Sequence, residues 1–381
     1  MATPRPRAFA MSEETGVSKP ATKPGASAAE TAPLIGELLT CPPPPITDAE
    51  ALQLAKDAFG LSGSLKRLTS ERDANFLVHD AAGSACVLKV TNAAEDPAVT
   101  NLQTETLLHL QRTAPQLPVP RVHQAIDGSF ELRRSFDGKT ESTIRVLTYL
   151  AGEPLHRVDT TAHQRRNVAA ELARLDIALK DFHHPAADHD LLWDTKNAAR
   201  LRPFAADIAD PALRSLVERQ LDVFDRHVAP VLADLRAQPI HNDLNPHNVL
   251  VHPNDHTRVT GIFDFGDMVH TPLVIDIAVA ASYQIGSQDD PLTPVAEFVA
   301  AYHEVLPLAA DEVALLFDLI AARLLTTVVI TNWRSLRHPE NREYILRNHG
   351  RAAAGLQAFA PISRADAERI FRTACKLEPH R

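Results

Sequence analysis

Residues 241–248 read HNDLNPHN, and residues 261–268 read GIFDFGDM. Asp243, Asn248 and Asp264 stand in an order and spacing that suit phosphoryl transfer from a nucleoside triphosphate. That reaction asks little covalent chemistry of a protein. A carboxylate orients and deprotonates the attacking hydroxyl, and oxygen ligands hold Mg²⁺ against the phosphates. Asp243 suits the first task. Asn248 and Asp264 suit the second, because Mg²⁺ prefers hard oxygen donors, which an amide oxygen and a carboxylate supply. An isolated H-x-D occurs by chance, whereas H-x-D-x-x-x-x-N followed by D-F-G about twenty residues later is far more specific. The bland alternative is an Asn/Asp-rich pair of β-turns without catalysis.

The elements around these residues are those needed to bring them together. Val249-Leu250-Val251 and the stretch 259–263 have strand character, and Pro253-Asn254-Asp255 between them is turn chemistry. The resulting hairpin would carry Asn248 close to Asp264. Upstream, Thr47 and Glu50 form a capping box for a helix reaching Phe59, and Gly60 stands where a helix-ending glycine belongs. Strands are predicted at 65–69, 75–79 and 85–90, with Ala81-Ala82-Gly83 in the second turn, and a helix at 97–112. Extended segments follow at 119–122, 130–134 and 143–149, the last two joined by an Asp137-Gly138 turn. Beyond Gly152 the periodicity turns helical, at 160–182, 211–235, 272–285, 294–305, 311–332, 339–357 and 363–377. The expected class is α+β and bilobal: a small mixed β-sheet N-lobe over 46–148 and a larger helical C-lobe over 149–381. Residues 1–45, rich in Ala, Pro, Thr and Ser and closing on Pro42 to Pro45, are expected to be a disordered tail.

This order locates further candidates. Lys89, in the strand Val87-Leu88-Lys89-Val90, can pair with nucleotide phosphates, and Glu105 on the next helix can hold its ammonium. The alternatives are an exposed strand lysine and a solvated helix residue. The backbone of Thr148 to Leu150, between the lobes, can offer a donor and an acceptor to a purine.

The chain has 381 residues, enough for two lobes with real cores, and a formal net charge of −9. That charge argues against a nucleic-acid binder, and the pairs Arg133-Arg134 and Arg165-Arg166 read as solvated faces. Cys41, Cys86 and Cys375 share no metal-like spacing and indicate a reduced, cytoplasmic compartment, with Cys86 as a small core residue. No membrane span is expected: the apolar stretch 313–330 carries Asp318 and Arg323 and reads as a buried helix. The N-terminus lacks a secretory apolar region. Arg5 and Arg7 suggest a transit peptide, but Glu13 and Glu14 oppose it, and Met11 is an alternative start.

Over residues 60–370 the sequence resembles the aminoglycoside phosphotransferase and choline kinase superfamily. It looks most like the hydroxylysine kinase branch and the kinase-type domains joined to class III aminotransferases. The resemblance is carried by Glu71-Arg72-Asp73-Ala74-Asn75-Phe76, Val87-Leu88-Lys89, Leu192-Trp193-Asp194, His241-Asn242-Asp243-Leu244-Asn245 and Asp264-Phe265-Gly266-Asp267-Met268. It implies a protein-kinase-like fold, Asp243 as catalytic base, Asn248 and Asp264 on Mg²⁺, Lys89 with Glu105 as the phosphate-holding pair, and Asp276 as a buried brace of the catalytic loop. No G-x-G-x-x-G precedes Lys89, so the phosphate loop would be 70–75, and the resemblance implies that Asn75 and loop amides serve there. Asn242 replaces the glycine common among the phosphotransferases, and His-Asn-Asp resembles choline kinases.

Other residues have two readings each. His183-His184 is a metal pair or, better, a helix-end pair. His241 reads as a loop brace and His247 as turn surface. Trp193 lines the acceptor pocket or is a packed aromatic. Asp267, three residues past Asp264, holds a substrate ammonium or caps a turn. Together these lead to a cytoplasmic, Mg²⁺-dependent kinase using ATP or GTP, acting on the hydroxyl of a small amino alcohol or hydroxy-amino acid. Hydroxylysine is the first acceptor by resemblance. Aminoglycoside, choline or ethanolamine, and homoserine are the enzyme alternatives, and a nucleotide-binding pseudokinase is the non-enzyme one. Neither nucleic acid nor membrane is expected as a partner, and the oligomeric state stays open.

Overall fold

The computed structural model describes residues 42–378 apart from Glu71, Ala81 and Ala82. Residues 1–41 of the expected tail, with Cys41, Met11 and the Arg5/Arg7 pair, therefore lie outside the described residues, as do Glu71 and the Ala81-Ala82 part of a turn. The described chain starts four residues before Ile46: Pro44 is buried, and Pro42 accepts a hydrogen bond from Asn92 Nδ2 at 3.0 Å.

Helix α1 (Asp48–Phe59) starts at a reciprocal capping box. Thr47 N–H donates to Glu50 Oε2 at 2.8 Å, and Glu50 N–H donates to Thr47 Oγ1 at 3.2 Å. It ends at Gly60, whose φ of 70° a side chain would resist. Its buried face packs on a six-stranded sheet of order β1-β2-β3-β6-β4, with β5 also on β6. The strands are β1 (Gly63–Leu68), β2 (Ala74–Asp80), β3 (Ala85–Val90), β4 (Val122–His123), β5 (Leu132–Ser135) and β6 (Glu141–Thr148). Every pairing is antiparallel, a refinement of the expected mixed sheet; short turns join β2 to β3 and β5 to β6. The two-residue side-chain period puts Phe76, Val78, Leu88, Val90, Ile144 and Val146 into the core shared with α1. The same register aligns Asn75, Lys89 and Arg145 on the other face. Arg145 is buried there and ties the sheet to α2 (Pro97–Thr113) through Thr100 O, Thr104 Oγ1 and Gln103 Oε1.

A second, larger core begins with Leu102, Leu107 and Leu110 of α2 and continues to Cys375. It joins α3 (Ala162–Leu179), α4 (Pro211–Val223), α5 (Val274–Ala281), α6 (Thr293–Val305), α7 (Ala310–Arg337), α8 (His349–Phe359) and α9 (Arg364–Ala374). Helix α7 is long and apolar enough to cross a membrane, yet 94% of its apolar window is buried inside the protein, so it is the axis of this core. Against expectation, α4 ends at Val223 and passes into the wider turn Phe224–Val228, and the stretch 339–357 breaks into short turns before α8. The hairpin of β9 (Val249–His252) and β10 (Asp255–Ile262) pairs with β7 (Glu153–Pro154). Gly152 lets the chain cross this hairpin: a Cβ there would lie 2.5 Å from Thr260 Oγ1 and 2.8 Å from Leu250 Cβ. A separate ladder, β8 (Ala237–Ile240) with β11 (Val269–Pro272), was not expected, since each strand is short and carries a proline.

Candidate active site

The stretch 241–248 leaves the end of β8, and 263–268 links β10 to β11, so the two ladders bring both motifs to one place. Two non-glycine residues there are left-handed, Asn242 (φ 61°) and Asp264 (φ 66°), a conformation held only where neighbours over-determine it. For Asn242 the neighbour is Asp276 of α5. It accepts from the N–H of His241 at 3.1 Å and of Asn242 at 2.8 Å. Asn242 Nδ2 also donates to Asp267 O at 3.2 Å. Behind Asp276 sits Asp176, fully buried; burial first, then the charge of Asp276, push its carboxyl well above the usual range. Tyr302 donates to Asp176 Oδ2 at 2.5 Å. His241, also fully buried, spans the two motifs: Nε2 meets Phe263 O at 3.2 Å and Nδ1 accepts from Asp243 N–H at 3.3 Å. That tautomer has no spare nitrogen, so the ring has the contacts of a brace.

Asp243 has a 20% exposed side chain. Its Oδ1 accepts from Arg323 Nη2 at 3.0 Å, and its Oδ2 from Asn245 Nδ2 at 2.8 Å and Asn248 Nδ2 at 2.9 Å. Burial pushes the carboxyl up to about 6, against the opposing pull of the Arg323 charge and the Asn245 hydrogen bond. Because Asn248 spends its NH₂ on Asp243, its Oδ1 is left as a neutral oxygen donor. Asp264 is exposed, and its carboxylate makes no hydrogen bond among the described residues. An amide oxygen and a free carboxylate fit a Mg²⁺ ion that keeps water and phosphate oxygens in its remaining positions.

A cleft of about 300 Å³ opens here, lined by Asp243, Asp264 and Asp267 together with Trp193, Tyr283 and Arg323. Asp267 is half-buried, and its carboxylate has no hydrogen-bond partner among the described residues. Burial first, then the charge of Asp243, push it up to about 7. Trp193 lines the cleft and packs against the larger core. Arg323 is the residue that sequence reasoning missed. It is 2% exposed, donates to Asp243 and to Trp193 O at 3.1 Å, and stands 5.4 Å from the Trp193 ring centre. The available signal was an arginine inside the apolar stretch 313–330, which also carries Asp318, since such a charge stays buried only with a partner.

On the sheet side, Lys89 corrects an expectation. Its Nζ lies 3.9 Å from Asp73 Oδ2, and Glu105 forms no ion pair or hydrogen bond among the described residues. Glu105 shares its helix stripe with Asn101 and His109, which meet His184 and Ala178 O. The face turned to the sheet is the Thr100–Thr104 one, and Arg145 occupies it. Asn75 stands beside Lys89 in register, with Oδ1 buried and unpartnered. In the connector, Thr148 N–H already donates to Arg121 O and Tyr149 N–H to Ala85 O, so neither N–H is free for a base; Leu150 packs against Gly261. His183-His184 follows α3 by four residues rather than ending it. His184 caps the turn Pro185–Asp188 and contacts Asn101, and no three-ligand His/Cys/Asp/Glu metal group occurs among the described residues. His247 does lie in the turn but is half-buried: its ring centre is 4.0 Å from that of His156 at a tilt of 31°, and burial pushes its pKa down to about 4.

The profile of the phosphotransferase enzyme family matches residues 64–316. Hydroxylysine kinase of Mus musculus is 29% identical over 357 residues, covering 88% of this chain and 95% of that protein. Hydroxylysine kinase of Bos taurus is 27% identical over 359 residues, covering 88% and 95%. Among solved structures, a microcompartment-associated aminopropanol kinase superposes with a TM-score of 0.64 at 21% identity, covering 86% of this chain and 99% of that one. Amicoumacin kinase hAmiN, solved with AMP-PNP, Ca²⁺ and its ligand, gives 0.63 at 14% identity, covering 84% and 97%.

Proposed function

This chain belongs to the phosphotransferase enzyme family and is a kinase acting on an alcohol hydroxyl, and from that premise we propose that it phosphorylates a small amino alcohol or hydroxy-amino acid, hydroxylysine first. The observation that carries this reading is Asp267, a half-buried carboxylate without a protein hydrogen-bond partner in the same cleft as Asp243. Such a group favours a substrate ammonium by a charge-assisted hydrogen bond worth roughly 1.5–3 kcal/mol. Holding the amine also fixes which hydroxyl points at Asp243, and orientation contributes to the rate. The curated relatives, named as hydroxylysine kinases, support the same class of acceptor.

In this reading Asp243 takes the proton of the attacking hydroxyl, and Arg323 keeps it ionised near neutral pH. Asn248 Oδ1 and Asp264 would hold Mg²⁺, which supplies positive charge to the phosphates of ATP or GTP. Lys89 would reach the same phosphates, with Asp73 rather than Glu105 beside it, and Asn75 lies next to it. The N–H of Leu150 is the connector donor left for a purine. His241 and Asp276 hold the loop.

The test is phosphoryl transfer with Mg²⁺ and either nucleotide to hydroxylysine, ethanolamine, choline, homoserine and an aminoglycoside. Hydroxylysine is expected to react, and its N-acetylated form about tenfold or more slower, the loss of one charged hydrogen bond. Asp243→Asn should lower kcat by about 10²–10⁴ while nucleotide still binds. Near-normal kcat in that variant would remove Asp243 from its role, and equal kcat/KM for free and acetylated acceptors would remove Asp267.

A further inference from the structure

The cleft has charges of both signs. Its acids are Asp243 of the catalytic loop, Asp264 and Asp267 of the turn after β10, and Asp190, which is paired with Arg200. A different part of its lining comes from the C-terminal half of α7 and the segment 344–348, which contribute Thr327, Thr331, Arg334, Arg347 and Asn348. Arg347 is exposed, and its guanidinium lies 4.2 Å from the centre of the Tyr344 ring. It forms no ion pair with a carboxylate among the described residues. By contrast, Arg323 is bound to Asp243 at 3.0 Å, and Arg72 faces Glu95 at 3.6 Å. Arg334 lines the same cleft and is 8% exposed. The charge of Arg347 is felt at Asp243, His156 and His247, so it sits within Coulomb range of the catalytic loop.

We propose that Arg347 holds the carboxylate of an α-amino-acid acceptor, so that the site takes a hydroxy-amino acid as its zwitterion and disfavours amino alcohols that lack the acid. This rests on the reading of Asp243 and Asp267 given above and adds the opposite charged end of the substrate. A guanidinium matches a carboxylate with two parallel hydrogen bonds, and stacking on Tyr344 presents it in one orientation. An exposed arginine contributes modestly on its own, so the effect grows only as the bound acceptor excludes water. The result is selection by charge: an acceptor with hydroxyl, amine and carboxylate satisfies Asp243, Asp267 and Arg347 together.

The experiment compares hydroxylysine with 1,5-diaminopentan-2-ol, the same molecule without its carboxylate, in the full-length wild type and in Arg347→Gln. Wild type should prefer hydroxylysine by about tenfold or more in kcat/KM, one charged interaction. Arg347→Gln should raise the hydroxylysine KM about tenfold and abolish most of that preference, with the nucleotide KM unmoved. Calorimetric titration with lysine and with 1,5-diaminopentane, which have no hydroxyl to react, gives the same comparison without turnover. Equal preference in wild type and variant overturns the proposal, and so does a raised nucleotide KM with acceptor preference intact, which assigns Arg347 to phosphate. If lysine binds through Arg347 but hydroxylysine is not phosphorylated, the carboxylate site stands and the hydroxylysine reading falls. If wild type neither binds nor phosphorylates any of the four, both fall.

Discussion

Asp243 shows how one residue is tuned by opposing effects. Burial raises its carboxyl to about 6, while Arg323 and Asn245 pull the other way. A base must be ionised to accept a proton, so activity belongs above the apparent pKa and is lost as pH falls through it. Asp267, pushed to about 7, titrates in the same cluster, so the acidic limb of kcat/KM is expected between about pH 7 and 6 and belongs to the pair. Replacing Arg323 by Met removes the largest opposing charge. The limb should then move to higher pH, and the half-buried carboxylate, left with Asn245 and Asn248, should cost roughly 1–3 kcal/mol of stability. A pH–rate profile of both proteins measures the first, and urea unfolding the second; an unmoved limb would show that Arg323 does not act on the base.

At the scale of elements, α5 holds the catalytic loop. Asp276 accepts two backbone N–H groups from residues 34 and 35 positions earlier, one of them on the left-handed Asn242. Asp276→Ala leaves both unpaired in a buried place, at roughly 1–3 kcal/mol each. We expect a lower unfolding midpoint and a fall in kcat with little change in nucleotide KM, because the loop carries Asp243 while the N-lobe sheet carries Lys89. Asp276→Asn keeps one acceptor and should lose less of both. A nucleotide KM that rises as much as kcat falls would mean that the brace acts on the whole cleft. The helix α2 teaches a different lesson. Its rotation about its own axis decides whether Glu105 or the Thr100–Thr104 face meets the sheet, and the buried Arg145 fills that face.

The whole molecule concentrates acids at one cleft, with a consequence for stability. Asp243 and Asp267 have native pKa values raised above the usual 3.8, so the folded state binds more protons than the unfolded chain. Their favourable contribution is complete below about pH 4 and is lost as pH rises through about 6 to 7. Asp267→Asn removes one of these groups. It should raise Tm at pH 8 by about 2–4 °C, a gain that shrinks toward pH 5, while activity on amine-bearing acceptors falls. Thermal unfolding at the two pH values decides this; a gain independent of pH would show that the carboxylate is not held above its ordinary range.

The sequence by itself determined what is local. The capping box at Thr47, the alternation that buries Phe76, Leu88 and Val146, and the motifs containing Asp243, Asn248 and Asp264 all follow from spacings within one hairpin, strand or turn. A period of 2.0 or 3.6 residues already states which side chains share a face. Tertiary structure decided what depends on how distant elements pack. Arg323 reaches Asp243 across 80 positions, Asp73 replaces Glu105 beside Lys89, and the β8–β11 ladder joins two four-residue strands that local pattern does not mark. Partners of buried charges are chosen by which helix faces meet, and helix rotation is set by the sum of many apolar contacts rather than by any local signature.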